Sequence, residues 1–407
     1  MKKILSVLLT VSILLMLIPT VTVTAEVVEG ACGVNLTWRL DTETGLLEIN
    51  GTGDMWDWDS SNDTPWNSYR SSIKTVHIVD GVTSIGNNAF AYFSKLTNIS
   101  IPDSVTSIGS FAIYYSLPLT NISIPSSVVS IGNSAFQNCV ALKSIDVDCN
   151  NENYKSENGV LYNKKQTILI QYPVGRTDAV FTIPNSVASV GAYAFDSCLS
   201  LTEIIIPNSF ISIGYRAFFG CTGLKDIAIP DSVKLIENSA FAYCWSLTNI
   251  TIPDSVEYLG EAAFQYCISL LNVYLPATSP RLENNAFYGV KLGARAIVPY
   301  DAEGYGEEGD VWNGLIVTYV TIISITTEEE DGITVKVNRP GQDDAIVVVA
   351  IYDAFDRLIQ FVTKTIPESG EVILPVAVPS TEVTVKAMMW NDADAMQPFC
   401  PPKMVVL

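Results

Sequence analysis

A period of 23 residues governs most of the chain. Pro102 and Pro125 are one step apart, and Pro184, Pro207, Pro230, Pro253, Pro276 and Pro299 continue at the same interval. The 59-residue gap between Pro125 and Pro184 equals one step plus 36 residues, which marks an insertion at about 148–180. Aromatic residues keep step at Phe136, Phe195, Phe218, Phe241, Phe264 and Phe287, and leucines at 96, 119, 142, 201, 224, 247 and 270. One such unit is too short to bury its own apolar side, so the units must stack. Repeat architectures are what remain.

The copy Leu224–Val233 shows how a unit should fold. Ile227 and Ile229 alternate across Ala228 with the period of a strand. Pro230 has no N–H for a ladder and ends that strand, while Asp231 and Ser232 offer oxygens to the turn. A second short strand follows, clearest at Ser212-Ile213-Gly214. Arg216–Cys221 then reads as a short helical turn that carries Phe218 inward. Stacking predicts one continuous core, with Phe195, Phe218, Phe241 and Phe264 beside Cys198, Cys221, Cys244 and Cys267.

The pattern Leu-Thr-Asn-Ile-Thr-Ile-Pro-Asp-Ser-Val at 247–256, followed by Ala-Ala-Phe-Gln-Tyr-Cys at 262–267, resembles the BspA-type leucine-rich-repeat family of exported bacterial surface proteins. Ala31–Trp38 with Gly51–Met55 resembles the N-terminal cap of that family, and Asn158–Asn163 with Thr167–Pro173 resembles a hairpin seen in it. The resemblance covers about 30–320. It implies a β-rich solenoid and a role as adhesin or binding scaffold with varied partners.

Four regions are expected. Residues 1–25 read as a signal peptide, with Lys2 and Lys3, an apolar run from Ile4 to Ile18, and a small-residue cleavage site ending at Ala25. Residues 26–73 form the cap and 74–319 the solenoid. The period is lost over 320–407, where short β-rich stretches suggest a small all-β sandwich of fibronectin-III or immunoglobulin type. The product is extracellular or on the cell surface, with no membrane insertion after cleavage. Its 43 acidic against 23 basic residues argue against nucleic acid as a partner. Oligomeric state is left open.

Chemistry-bearing residues are few. The single histidine, His77, falls on the outward side of a strand, which nearly removes histidine triads and zinc sites. Cys139, Cys198, Cys221, Cys244 and Cys267 each follow a repeat Phe by three residues. They read as a column of buried thiols, with disulfides between neighbouring turns as the alternative. Five members of one column cannot all pair. Ser104, Ser127, Ser186, Ser209, Ser232 and Ser255 form a serine column read as turn chemistry. Asp54, Asp57, Asp59 and Asp63 lie among Trp56, Trp58 and Trp66, but their spacing lacks the glycine and closing glutamate of a calcium loop. No metal or cofactor is expected.

The binding candidates are aromatic. Tyr92, Tyr115, Tyr243 and Tyr266 share one register just before the cysteine slot, with Trp245 beside the second pair. A second extended face comprises Ser100, Ser123, Asp146, Ile205, Ala228, Thr251 and Tyr274 on the outward side of the strands. Aromatic faces at repeated spacing stack on sugars or anchor a protein, and packing between adjacent turns explains them equally well. Two functions follow: a non-catalytic scaffold for an extracellular protein or glycan, or a secreted carbohydrate-active enzyme or accessory unit with an unlocated carboxylate pair. A compact pocket with convergent carboxylates would favour the enzyme, and a shallow extended face would favour binding. With no catalytic constellation marked, binding is preferred.

Overall fold

The computed structural model describes residues 27–318 apart from 300, 301 and 308, and beyond 318 the backbone of the strands 319–328, 332–338, 345–352, 358–366, 370–374, 384–390 and 403–406. The expected signal peptide at 1–25 and Cys400 lie outside the described residues.

The N-terminal cap is an antiparallel meander of Val27–Ala31, Leu36–Asp41 and Leu46–Gly51, whose last strand pairs in parallel with Thr75–Ile78. From there the chain coils. One wall is built from strands such as Asn98–Ser100, Glu203–Ile205 and Asn249–Thr251. The second wall is built from two-residue strands such as Ser107–Ile108, Ser212–Ile213 and Tyr258–Leu259. In both, strands pair in parallel with the counterpart one coil away, as with Ile145 and Ile122 or Ile213 and Ile236, and the first wall falls into several such groups. Threonine hydroxyls stitch coils too, as when Thr202 donates to the Ala179 carbonyl 23 residues back.

The third wall differs from the helical turn expected there. Each coil carries two left-handed residues four apart, for example Tyr193 and Ser197, Arg216 and Gly220, Ser239 and Tyr243, or Ala262 and Tyr266. This alternation aims every second N–H along the solenoid axis. Phe218 N–H donates to Ala240 O and Gly220 N–H to Ala242 O, both at 2.8 Å, while the intervening Phe219 N–H turns back to Arg216 O at 3.2 Å. The amides of the Arg216–Cys221 turn are thereby satisfied without a helix, which a buried backbone requires.

Inside, Phe195, Phe218, Phe241 and Phe264 are fully buried and stack in register with Phe287 at centroid distances of 5.1–5.3 Å. Tyr172 closes one end of this ladder, 5.2 Å from Phe195, and Trp312 closes the other, 6.1 Å from Phe287. In the first half the cap's Trp66 stacks on Phe90 at 5.6 Å and donates its indole N–H to Ala89 O at 2.7 Å.

The core is not continuous. Two apolar clusters exist, one from Cys32 to Ile145 with Leu161, the other from Val160 and Tyr162 to Val317. The insertion separates them. Its strands Tyr154–Glu157, Val160–Asn163 and Ile168–Gln171 pair antiparallel in succession, and the last then pairs in parallel with Ser189–Val190. Because strand side chains alternate, Leu161 joins the first core while Val160 and Tyr162 join the second. The expectation of one core fails because the hairpin stands between coils as a wall.

At the far end, Leu315–Glu328 is a single 14-residue strand. Its first part pairs in parallel with Arg295–Pro299 and its second part antiparallel with Gly332–Asn338, so the boundary drawn at 319/320 falls inside a strand. Gly332–Asn338 also pairs with Gly370–Leu374. Ala345–Tyr352 pairs antiparallel with both Leu358–Ile366 and Thr384–Trp390. Among the described residues no helix is long and apolar enough to cross a membrane.

The cysteine column has a structural role. Cys139, Cys221, Cys244 and Cys267 donate from Sγ to the carbonyls of Ile113, Phe195, Phe218 and Phe241, each 26 residues back, at 3.0–3.2 Å. Ser116 fills the same slot and makes the same kind of bond to Phe90 O at 3.2 Å, so the slot calls for a small donor rather than for sulfur chemistry. Burial pushes Cys32 and Cys139 up to about 12, and Cys198, Cys221 and Cys244 well above the ordinary thiol value. Maleimide at pH 8 should therefore label exposed Cys149 in the folded protein and spare the buried column. Labelling of more than about two thiols per native chain contradicts this. The raised values also set a pH dependence. Unfolded thiols lose protons above about 9 that the folded chain retains. Stability should hold below that pH and fall as it rises towards 12.

Candidate aromatic binding face

The left-handed positions of the third wall favour Gly or Asn, and the chain places these at Asn88, Asn138, Gly220, Asn285 and Gly289. At the same positions stand Tyr92, Phe111, Tyr115, Tyr193, Tyr243 and Tyr266, with φ between 55° and 63°. A bulky residue there is a true outlier and costs of order 1–3 kcal/mol. Ring packing between coils returns about 0.5–1.5 kcal/mol per pair. The face therefore keeps its aromatics at a local conformational cost.

They form two patches. In the first, Tyr92 lies 5.3 Å from Tyr114 and 5.4 Å from Tyr115, Phe111 lies 5.6 Å from Tyr114, and the Arg70 guanidinium stands 5.8 Å over Tyr92. Tyr92, Phe111 and Tyr115 are exposed. In the second, Tyr193 meets Tyr215 at 5.3 Å, and Phe219, Tyr243, Tyr266 and Tyr288 follow one another at 5.1, 5.0 and 5.6 Å. Tyr243 and Tyr266 are half-buried, and Tyr288 is 56% exposed.

A polar coil separates the patches. Asn138 donates to the Tyr114 hydroxyl at 3.0 Å. Gln137 hydrogen-bonds to Asp196, a buried carboxylate that also accepts from Ser197 at 2.8 Å. Burial raises the Asp196 pKa, and the Ser197 and Gln137 bonds pull it back. A small cleft of about 100 Å³ beside this coil is lined by Gly132–Phe136 and by Leu161, Ile170 and Gln171 of the insertion. It carries no carboxylate and is well below the size of a usual ligand pocket.

The sequence candidates fall unevenly on this geometry. Tyr92 and Tyr115 belong to the first patch, Tyr243 and Tyr266 to the second. Trp245 is 48% exposed but pairs with no other ring among the described residues, so proximity in sequence does not bring it into the patch. Tyr274 is corrected: it is only 6% exposed. Its outward column is open at His77, Ser100, Ser123, Asp146, Ile205, Ala228 and Thr251, then closes at Tyr274, Ile297 and Thr318. Phe111, Tyr114, Tyr193, Tyr215, Phe219 and Tyr288 were missed. Tyr114, Phe219 and Tyr288 share one column, the position after the repeat Phe slot, which Ile113 fills before Tyr114, and that periodicity was the available signal.

Three of the four cap carboxylates and four of the six column serines singled out in the sequence are engaged in holding the fold. Asp54 accepts from Thr83 at 2.5 Å, Asp57 from the Asn87 N–H at 2.8 Å, and Asp63 forms a capping box with Ser60. Ser104, Ser127, Ser209 and Ser255 donate to the carbonyls of Val82, Val105, Val187 and Val233 in the preceding coil at 2.6–2.8 Å. These four serines thus join coils rather than cap their own turns, whereas the Ser232 hydroxyl is buried with no hydrogen-bond partner among the described residues. Among the described residues no group of three or more His, Cys, Asp or Glu is placed to hold a metal ion.

The family described as BspA type leucine rich repeat region matches in six copies over residues 68–172 and 179–293. A leucine-rich repeat protein from Eubacterium ventriosum is 26% identical, over 72% of this chain and 93% of that one, with a TM-score of 0.50. A leucine rich cell surface protein from Faecalibacterium prausnitzii is 24% identical over 66% of this chain and 95% of that one, TM-score 0.48. The pneumococcal vaccine antigen PcpA is 17% identical over 69% and 95%, TM-score 0.46. No functionally curated protein matches.

Proposed function

The chain belongs to the BspA-type leucine-rich-repeat family, and from that premise we propose that it is an exported, non-catalytic scaffold at or beyond the cell surface that holds an extracellular protein or glycan on the aromatic wall of its solenoid. The observation that carries this reading is the placement of six Tyr and Phe residues at left-handed positions. Gly or Asn would fit these positions without strain, so the rings are retained against the preference of the backbone. A shallow run of rings along several coils suits an extended partner better than a small substrate. The strands beyond residue 320 are proposed to complete a small β-sandwich that extends from the far end of the repeats.

The test exploits the same strain. Asn138 shows that asparagine is accepted in this column, with φ 59°. The double replacement Tyr243→Asn and Tyr266→Asn should leave stability unchanged or slightly raised. It should weaken binding to any ligand captured from a glycan and matrix-protein array by about 2 kcal/mol or more, as loss of aromatic anchors does. Undiminished affinity in the folded double variant would refute the aromatic wall as the binding face.

A further inference from the structure

One cation stands inside the second aromatic patch without an acidic partner. Arg216 occupies a left-handed turn position, φ 51°. Its guanidinium carbon lies 4.4 Å from the centre of the Phe219 ring, 5.5 Å from Tyr215 and 5.9 Å from Tyr193. Its Nε is buried and has no hydrogen-bond partner among the described residues. Arg39, Arg176 and Arg281 each pair with a carboxylate at 2.6–3.3 Å, and Arg70 of the first patch donates to Asn62 at 3.2 Å. The charge of Arg216 is felt by Asp196, yet that buried carboxylate hydrogen-bonds to Gln137 and Ser197 instead. On a chain with 43 acidic and only 23 basic residues, an arginine held by aromatic rings alone is conspicuous.

Such a guanidinium is suited to one kind of ligand group. Stacked on an aromatic face, it loses little by being held there and keeps its planar N–H edge for a carboxylate. With Nε closed off, that recognition falls to the two Nη groups in an end-on pair. Next to it run Phe219, Tyr243, Tyr266 and Tyr288, spaced one ring every 5.0–5.6 Å. The backbone offers nothing further, because the N–H groups of Arg216, Phe218 and Gly220 already donate to the next coil. A peptide strand would find no ladder here to extend.

We infer that the second patch binds an acidic saccharide, with Arg216 holding the carboxylate of a uronic or sialic sugar and Tyr243 and Tyr266 packing against the adjoining pyranose ring. This rests on the reading of the aromatic wall as the binding face and adds the chemistry of its ligand.

The test is calorimetric titration of the exported protein with trigalacturonate, its methyl ester, 3′-sialyllactose, lactose and a glutamate-rich peptide. At least one acidic sugar should bind, and which one identifies the source of the carboxylate. Its ester or neutral counterpart should bind at least about tenfold more weakly, and Arg216→Gln should lose a similar factor. Arg216→Lys should retain only part of the affinity, since a point charge replaces the planar fork. It also serves if the glutamine variant fails to fold. Arg281→Gln, at an exposed ion pair, should change nothing. Raising salt from roughly 0.02 to 0.5 M should weaken the acidic ligand alone. Equal binding of acid and ester, no binding by either acidic sugar, or a peptide that binds as tightly with the same dependence on Arg216 would each overturn the inference. Capture of a neutral glycan or matrix protein that survives Arg216→Gln but fails without Tyr243 and Tyr266 would overturn it too, while leaving the aromatic wall as the binding face.

Discussion

Phe218→Ala should lower stability by about 3–5 kcal/mol, the range for removing a large aromatic from a packed core. The ring is fully buried and lies 5.1 Å from Phe195 on one side and 5.1 Å from Phe241 on the other. Its loss removes transfer energy, leaves a cavity and cuts the stack in the middle. Nearest-neighbour coupling governs a solenoid, so the damage should be greatest in the adjoining coils. Val129→Ala is the control, since Val129 is 57% exposed and its loss should cost less than about 0.5 kcal/mol. Urea midpoints of the two variants decide the matter. An unshifted midpoint for Phe218→Ala would mean that the inward register is misassigned throughout the repeats.

That register was legible because the residues inside a coil answer to short-range patterns. Ile227 and Ile229 alternate around Ala228, Pro230 stops the strand, and Phe218 recurs every 23 residues. The third wall was harder. Ala217-Phe218-Phe219-Gly220-Cys221 has the look of a helical turn, and the Asn and Gly signal for left-handed backbone is overwritten wherever the column holds Tyr or Phe. The residues that make the candidate face informative are therefore the ones that hid its conformation. Trp245 was drawn in by sequence proximity, although it is exposed and its ring pairs with neither Tyr243 nor Tyr266. Tyr274 depends on contacts formed at the end of the solenoid, and a local pattern carries no information about which outward residue the last coils will bury. The division of the core was concealed for a related reason. Val160, Leu161 and Tyr162 are all apolar, so the strand lacks the alternation that would mark one wet face.

Leu161 and Tyr162, though neighbours, should report on different halves of the molecule. Both are fully buried. Leu161 packs into the cluster that runs from the cap to Ile145, and Tyr162 into the cluster that runs to Val317. Leu161→Ala should cost about 2–5 kcal/mol and Tyr162→Ala a similar amount or more, each by transfer energy plus cavity. The size of each loss is less informative than where it is felt. Units with separate cores open separately, and exchange of backbone amides reads each opening on its own. Deuterium uptake in Leu161→Ala should rise over 76–147 and stay near wild type over 183–298. Tyr162→Ala should give the opposite map. If both variants loosen the same segments to the same extent, the hairpin is an insert within one cooperative core. Opposite maps make it a shared wall between two stacks, each able to loosen while the other holds its aromatic patch in place.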